Sequence, residues 1–223
     1  MPIPIREVGF YYNLHVNIQS FMHSVLTVKK NMPGAPIMLV TDKSLENLAE
    51  YEYIAEILHL PIIMRAEHCT YIERTDPLEV NIVKMYEFFD RMYDVSTKMN
   101  TKWVIRMEDD VYLRKPITKW PDTPIAGNSD TGGMGGGSIF DRMSFIKHYE
   151  QIQYTYIESK CRENETNNFS ADGIMRWMFT EHGHKYSKWK EITEDWHDQD
   201  RDGAVHHGDK TLYDRAYLRK RGI

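Results

Sequence analysis

The alternation of apolar and polar positions divides the first half of the chain into strands and helices in turn. "VGFYY", Val8 to Tyr12, is a short β-rich apolar run and reads as a buried strand. From about His15 to Asn31 the apolar residues Val16, Phe21, Val25, Leu26 and Val28 fall near helical spacing, and "NMPG" stops the helix. "PIMLVTD" reads as a second strand, and "SLENLAEYEYIAEI" as a helix capped by Ser44. "LHLPIIM" reads as a third strand with Pro61 inside it. "PLEVNIVKMYEFFDRMYDVSTKM" is a long amphipathic helix, and "KWVIRM" a fourth strand. Strands alternating with helices imply an open, mostly parallel sheet that gathers ligands at its strand carboxyl ends.

After Pro116 the pattern changes. "GNSDTGGMGGGSIFDRM" is too glycine-rich for a regular helix. "FIKHYEQIQYTYIESK" is helical, "CRENETNNF" a polar loop, and "SADGIMRWMFTEHG" a helix capped by Ser170. The tail from Trp196 is polar and rich in His and Asp. No repeat or linker divides the 223 residues, so one domain is expected: 1–115 as a ligand-binding half, 116–223 as a second half and tail.

A hydrophobic content of 41% supports a core, and a net charge of −5 without a basic excess argues against a nucleic-acid surface. Cys69 and Cys161 form no disulfide framework. No apolar signal core and no membrane-spanning stretch is seen, which leads to the expectation of a cytoplasmic protein. On that expectation the glycosylation patterns at Asn164 and Asn168 are fortuitous.

The densest chemistry is the segment "WVIRMEDDVYL". Glu108, Asp109 and Asp110 close the fourth apolar run. Adjacent carboxylates repel, so they need solvent, a basic neighbour or a metal. If the strand continued, Glu108 and Asp110 would share a face suited to Mg²⁺ or Mn²⁺, and Asp109 would point elsewhere, toward a ribose hydroxyl. A solvated, acid-decorated turn is the simpler alternative. "GGMGGG" lacks the Gly-Lys-Ser/Thr ending of a phosphate loop. It serves either to pack backbone closely or to admit a bulky ligand.

The order of these features resembles the GT-A class of nucleotide-sugar glycosyltransferases, including its small viral members. Glu108-Asp109-Asp110 is similar to the D-x-D motif after an apolar strand, with Glu in the first place. "GFYYN" is similar to the opening strand, "IMLVTDKS" to the second strand, and "GGGSIFDRMSFI" to the small-residue strand beside the acceptor. The resemblance extends to about Trp177. It implies an α/β fold, a GT-A-like open twisted sheet with helices on both faces. It also implies transfer of a sugar, of hexosyltransferase type, from a nucleoside-diphosphate sugar (a UDP-sugar favoured) to a hydroxyl or glycan acceptor.

By the same resemblance, Asp110 and Glu108 hold Mn²⁺ or Mg²⁺, with His206 or His207 of "AVHHGDK" as a further ligand. Asp42 contacts the base and Lys210 the diphosphate. From position alone, Tyr11 or Tyr12, just after the first strand, is expected to stack on the base, and Arg106 is an alternative source of positive charge at the diphosphate. Asp172, in the first turn of a helix, is the base of an inverting reaction, although the helix dipole alone favours an acid there. Asp141 and Asp130 compete with it. His182 and His184 have no Cys or acid pair to complete a zinc site and read as surface. The alternatives are a nucleotidyltransferase, a non-catalytic nucleotide- or carbohydrate-binding module and a metal-dependent hydrolase. Against the nucleotidyltransferase, "YYNLHVN" offers neither Gly nor Lys/Arg after the first strand.

Overall fold

A computed structural model describes residues 4–14, 18–43, 45–65, 76–109, 111–127, 136–163, 170–194 and 203–207. Within them the first half alternates as expected: β1 (Val8–Asn13), α1 (Ile18–Asn31), β2 (Ile37–Asp42), α2 (Leu48–Leu58), β3 (Ile62–Arg65), α3 (Leu78–Lys98) and β4 (Trp103–Met107). β5 (Val111–Leu113), β6 (Ile125–Gly127), β7 (Ile139–Asp141), α4 (Arg142–Glu163), α5 (Ala171–Glu181), β8 (Tyr186–Lys188), β9 (Ile192–Glu194) and β10 (Val205–His207) follow.

Seven strands form one open sheet in the order β3-β2-β1-β4-β7-β6-β8. β1 to β4 are mutually parallel, and only β7 runs against its neighbours. The sheet is buried on both sides, so its strands are continuously apolar rather than alternating. Phe10, Tyr12, Leu39, Ile105 and Met107 pack on one face with Phe21, Val25 and Val28 of α1 and Tyr51 of α2. Tyr11, Val40 and Val104 pack on the other with Met85 and Phe89 of α3, Phe145 of α4 and Phe179 of α5.

Three local readings change. α2 begins at Leu48 with Asn47 as its cap residue and no side-chain cap bond; Ser44 lies outside the described residues. Pro61 precedes β3 rather than interrupting it, as expected of a residue with no N–H for the ladder. The polar tail supplies β10, which pairs with both β5 and β9 in a second sheet of three strands. Ala204 and Val205 there are fully buried. Two apolar residues among polar ones give too short a period to be read as a strand. Ser170 caps α5 as expected, its hydroxyl accepting from the Gly173 N–H at 3.0 Å.

Candidate functional site at the carboxyl edge of the sheet

β4 ends at Met107, and the chain turns at once, with the Val111 N–H donating to the Glu108 carbonyl at 3.1 Å. Glu108 and Asp109 therefore sit in a turn, not on a continued strand. Strand alternation does not set their side-chain directions. α1 fixes the exit from this turn. Thr27 Oγ1 accepts from the Leu113 N–H at 3.0 Å, Asn31 Nδ2 donates to the Leu113 carbonyl at 2.8 Å, and the Ser24 hydroxyl donates to the Val111 carbonyl. β10 then lays His207 opposite Val111 and His206 opposite Tyr112. The backbone thus brings the histidine pair beside the two residues that follow the triplet in the chain. Their side chains, like Asp110, Asp130 and Lys210, lie outside the described residues.

Arg106 organises the described part of the site. Its Nη2 lies 2.9 Å from Glu108 Oε1 and 2.9 Å from Asp172 Oδ1. The guanidinium carbon sits 5.4 Å from the centroid of the Phe88 ring, a cation–π contact. Burial works against its charge; Asp172, Glu108 and the Tyr11 phenol outweigh that, and its pKa is raised. The Arg106 side chain is 9% exposed, while Glu108 and Asp172 are 26% and 28% exposed. The acids face solvent across a buried cation.

A second arginine works differently. Arg91 of α3 is fully buried, and its Nη2 donates to Asp42 Oδ2 at 2.8 Å while Nη1 donates to Asn13 at 3.2 Å. Arg91 thus ties the ends of β1 and β2 to α3, and Asp42, 3% exposed, offers no surface to a base. Tyr11 and Tyr12 are 0% and 1% exposed. Tyr12 packs edge-on against Phe21 and bonds Ser24 Oγ at 2.6 Å. Neither ring has an exposed face for stacking. Asp109 is half-buried, and its charge, after burial itself, helps to raise the pKa of the Tyr51 phenol.

The two described glycines of the "GGMGGG" run pack against this edge. A Cβ on Gly136 would lie 2.7 Å from Val111 Cγ2 and 3.1 Å from the Glu108 carboxyl carbon. Gly137 has φ +83° and would meet Val205 at 2.7 Å, while its N–H donates to the Arg106 carbonyl at 2.7 Å. For these two the close-packing reading holds. Asp141 accepts from the Ser144 N–H at 2.8 Å as the cap of α4, and it pairs with Trp103 at the opposite end of β4. It is therefore not a competitor at the acidic edge.

His182 and His184 are less isolated than their spacing suggested. His148 of α4, 4% exposed, stacks on His182 with ring centroids 4.2 Å apart and lies 5.0 Å from His184. Among the described residues, however, no three His, Cys, Asp or Glu stand close enough to hold a metal ion. The oxygen donors described at the acidic turn are Glu108 and Asp109. They are hard ligands of the right chemistry for Mn²⁺ or Mg²⁺, and the Gly136 backbone packs against the Glu108 carboxylate where a Cβ would crowd it. Sequence reasoning missed Arg91 and Phe88; in a helix rich in both charge and aromatics nothing marks them.

No family model matches the chain, and no curated protein matches it. Among solved structures it is similar to the apo-form glycosyltransferase GlyE of Streptococcus pneumoniae TIGR4, with a TM-score of 0.50 at 9% identity. The alignment covers 83% of this chain and 46% of that one, so the chain spans less than half the length of that protein. At this identity the likeness is one of fold: the chain has a glycosyltransferase-like α/β fold.

Proposed function

We propose that the protein transfers a sugar from a nucleoside-diphosphate sugar, a UDP-sugar in first place, to a hydroxyl acceptor with inversion. The observation that supports this is the joining of Glu108 and Asp172 through Arg106 at the carboxyl edge of β4. That edge is where wound sheets bind nucleotides. Asp110 and Glu108, with His206 or His207, are the proposed ligands of a Mn²⁺ or Mg²⁺ ion. When bound, such an ion neutralises the diphosphate and stabilises charge on the leaving group.

Asp172 is the proposed base. It accepts the proton of the acceptor hydroxyl as that oxygen bonds to the sugar's anomeric carbon and the bond from that carbon to the diphosphate oxygen breaks. Its partial exposure lets an acceptor approach, and Arg106 orients it. A guanidinium partner weakens a carboxylate as a base. That same pairing favours a second reading, a binding module that holds the donor without turning it over. Lys210 remains the proposed cation for the diphosphate, because Arg106 already carries two carboxylates.

The test is product formation from a panel of UDP-sugars with monosaccharide acceptors and Mn²⁺, with the anomeric configuration read by NMR. Inverted product that disappears in Asp172→Asn supports the reading. Retained configuration removes Asp172 as the inverting base, and donor binding without turnover favours the module.

A further inference from the structure

The segment between β5 and β6 and the turn after β8 enclose a groove of about 330 Å³. Lys119, Trp120 and Asp122 line one side, and Lys188, Trp189 and Lys190 the other. The walls are tied together: Trp189 Nε1 donates to the Lys119 carbonyl at 3.0 Å, and Trp189 is 1% exposed. Glu191, also buried, accepts from the Thr118 N–H at 3.0 Å and hydroxyl at 2.8 Å, and from the Ala204 N–H at 3.3 Å. That carboxylate pins the residues flanking Lys119 and Lys190, so the groove is preorganised.

Trp120 is a backed platform. Its ring is half-buried and stacks on Trp103 at 5.7 Å and 23°, and Lys102 lies 5.6 Å from the centroid of Trp103. The indole's electron-rich face attracts the C–H edge of a sugar ring. Among the described residues, the exposed Lys119 and Lys190, with Lys188 and Asp122, line the groove, on a chain of net charge −5. This local excess of positive charge complements an anion.

Trp103, which backs the platform, opens β4 about 16 Å along the strand from Glu108, and Lys188 on the other wall lies on β8, three strands across the sheet from β4. The groove is separate from the candidate catalytic site. We propose that it binds an anionic saccharide, a sugar ring bearing a carboxylate. The ring stacks on Trp120 and the carboxylate meets Lys119 and Lys190.

The experiment is calorimetric titration of the full chain with trigalacturonate, maltotriose and UMP, without donor or metal, so its outcome is independent of sugar transfer. Trigalacturonate is expected to bind best. Its affinity should fall by about tenfold or more in Trp120→Ala and in the double variant Lys119→Gln/Lys190→Gln. The lysine pair is exposed, so this second variant keeps the test valid if loss of Trp120 unsettles the fold. Equal affinity for the two saccharides, binding unchanged in the lysine variant, or tight binding of UMP in place of trigalacturonate would each overturn the proposal.

Discussion

Arg91 and Arg106 are the same residue in nearly the same setting, each buried near the carboxyl ends of the parallel strands, and they do opposite jobs. Arg91 is sealed: its side chain is 0% exposed and Asp42's is 4%. Arg106 is sealed beneath acids that are about a quarter open. An ion pair alone does not distinguish framework from site; the exposure of the anion does. A carboxylate closed in with its cation holds elements together, whereas one left open can meet a ligand.

The strongest way to break this comparison is Arg91→Met. Removing one partner of a buried pair leaves Asp42 uncompensated, and urea unfolding should show a loss of about 3–5 kcal/mol. Asp172→Asn should lower sugar transfer by about a hundredfold or more while leaving the unfolding midpoint nearly unchanged. A large loss of stability there would move Asp172 into the framework. Arg106→Met should cost about 1.5–3 kcal/mol, less than Arg91→Met because solvent reaches both acids it abandons. Equal losses for the two arginines would dissolve the distinction.

The histidine cluster supplies a pH test away from either arginine. Burial first, then His182, His184 and Lys147, push His148 down to about 4, while the Gln151 amide acts in the opposite direction. The unfolded chain then takes up this proton before the folded one does. The contribution is complete above about pH 6.5 and declines as pH falls toward 4. The urea midpoint of His148→Phe should fall less over that window than the wild type's. Smallest is Ser170→Ala, which removes the α5 cap and should cost about 1 kcal/mol, read from the thermal midpoint.

The sheet was legible because β1, β2 and β4 are continuous apolar runs separated by periodic helices. The Ser170 cap was legible because its chemistry is local. β10 was not, because its burial depends on β5, ninety-odd residues earlier in the chain. The triplet could be found as a motif, but the link from Glu108 to Asp172 runs through Arg106. An arginine inside a strand gives no sign of its partners. Tyr11, Tyr12 and Asp42 sit where a ligand site was expected by strand order, yet packing has closed over them.

The central claim is that the acidic turn after β4 binds a nucleoside diphosphate through a divalent ion. Calorimetric titration of UDP with Mn²⁺ and with chelator, on wild type and Asp110→Ala, tests it most directly. The account predicts binding that requires the ion and is lost in Asp110→Ala. Binding that persists in chelator or in Asp110→Ala, or no binding of UDP under any condition, would contradict it.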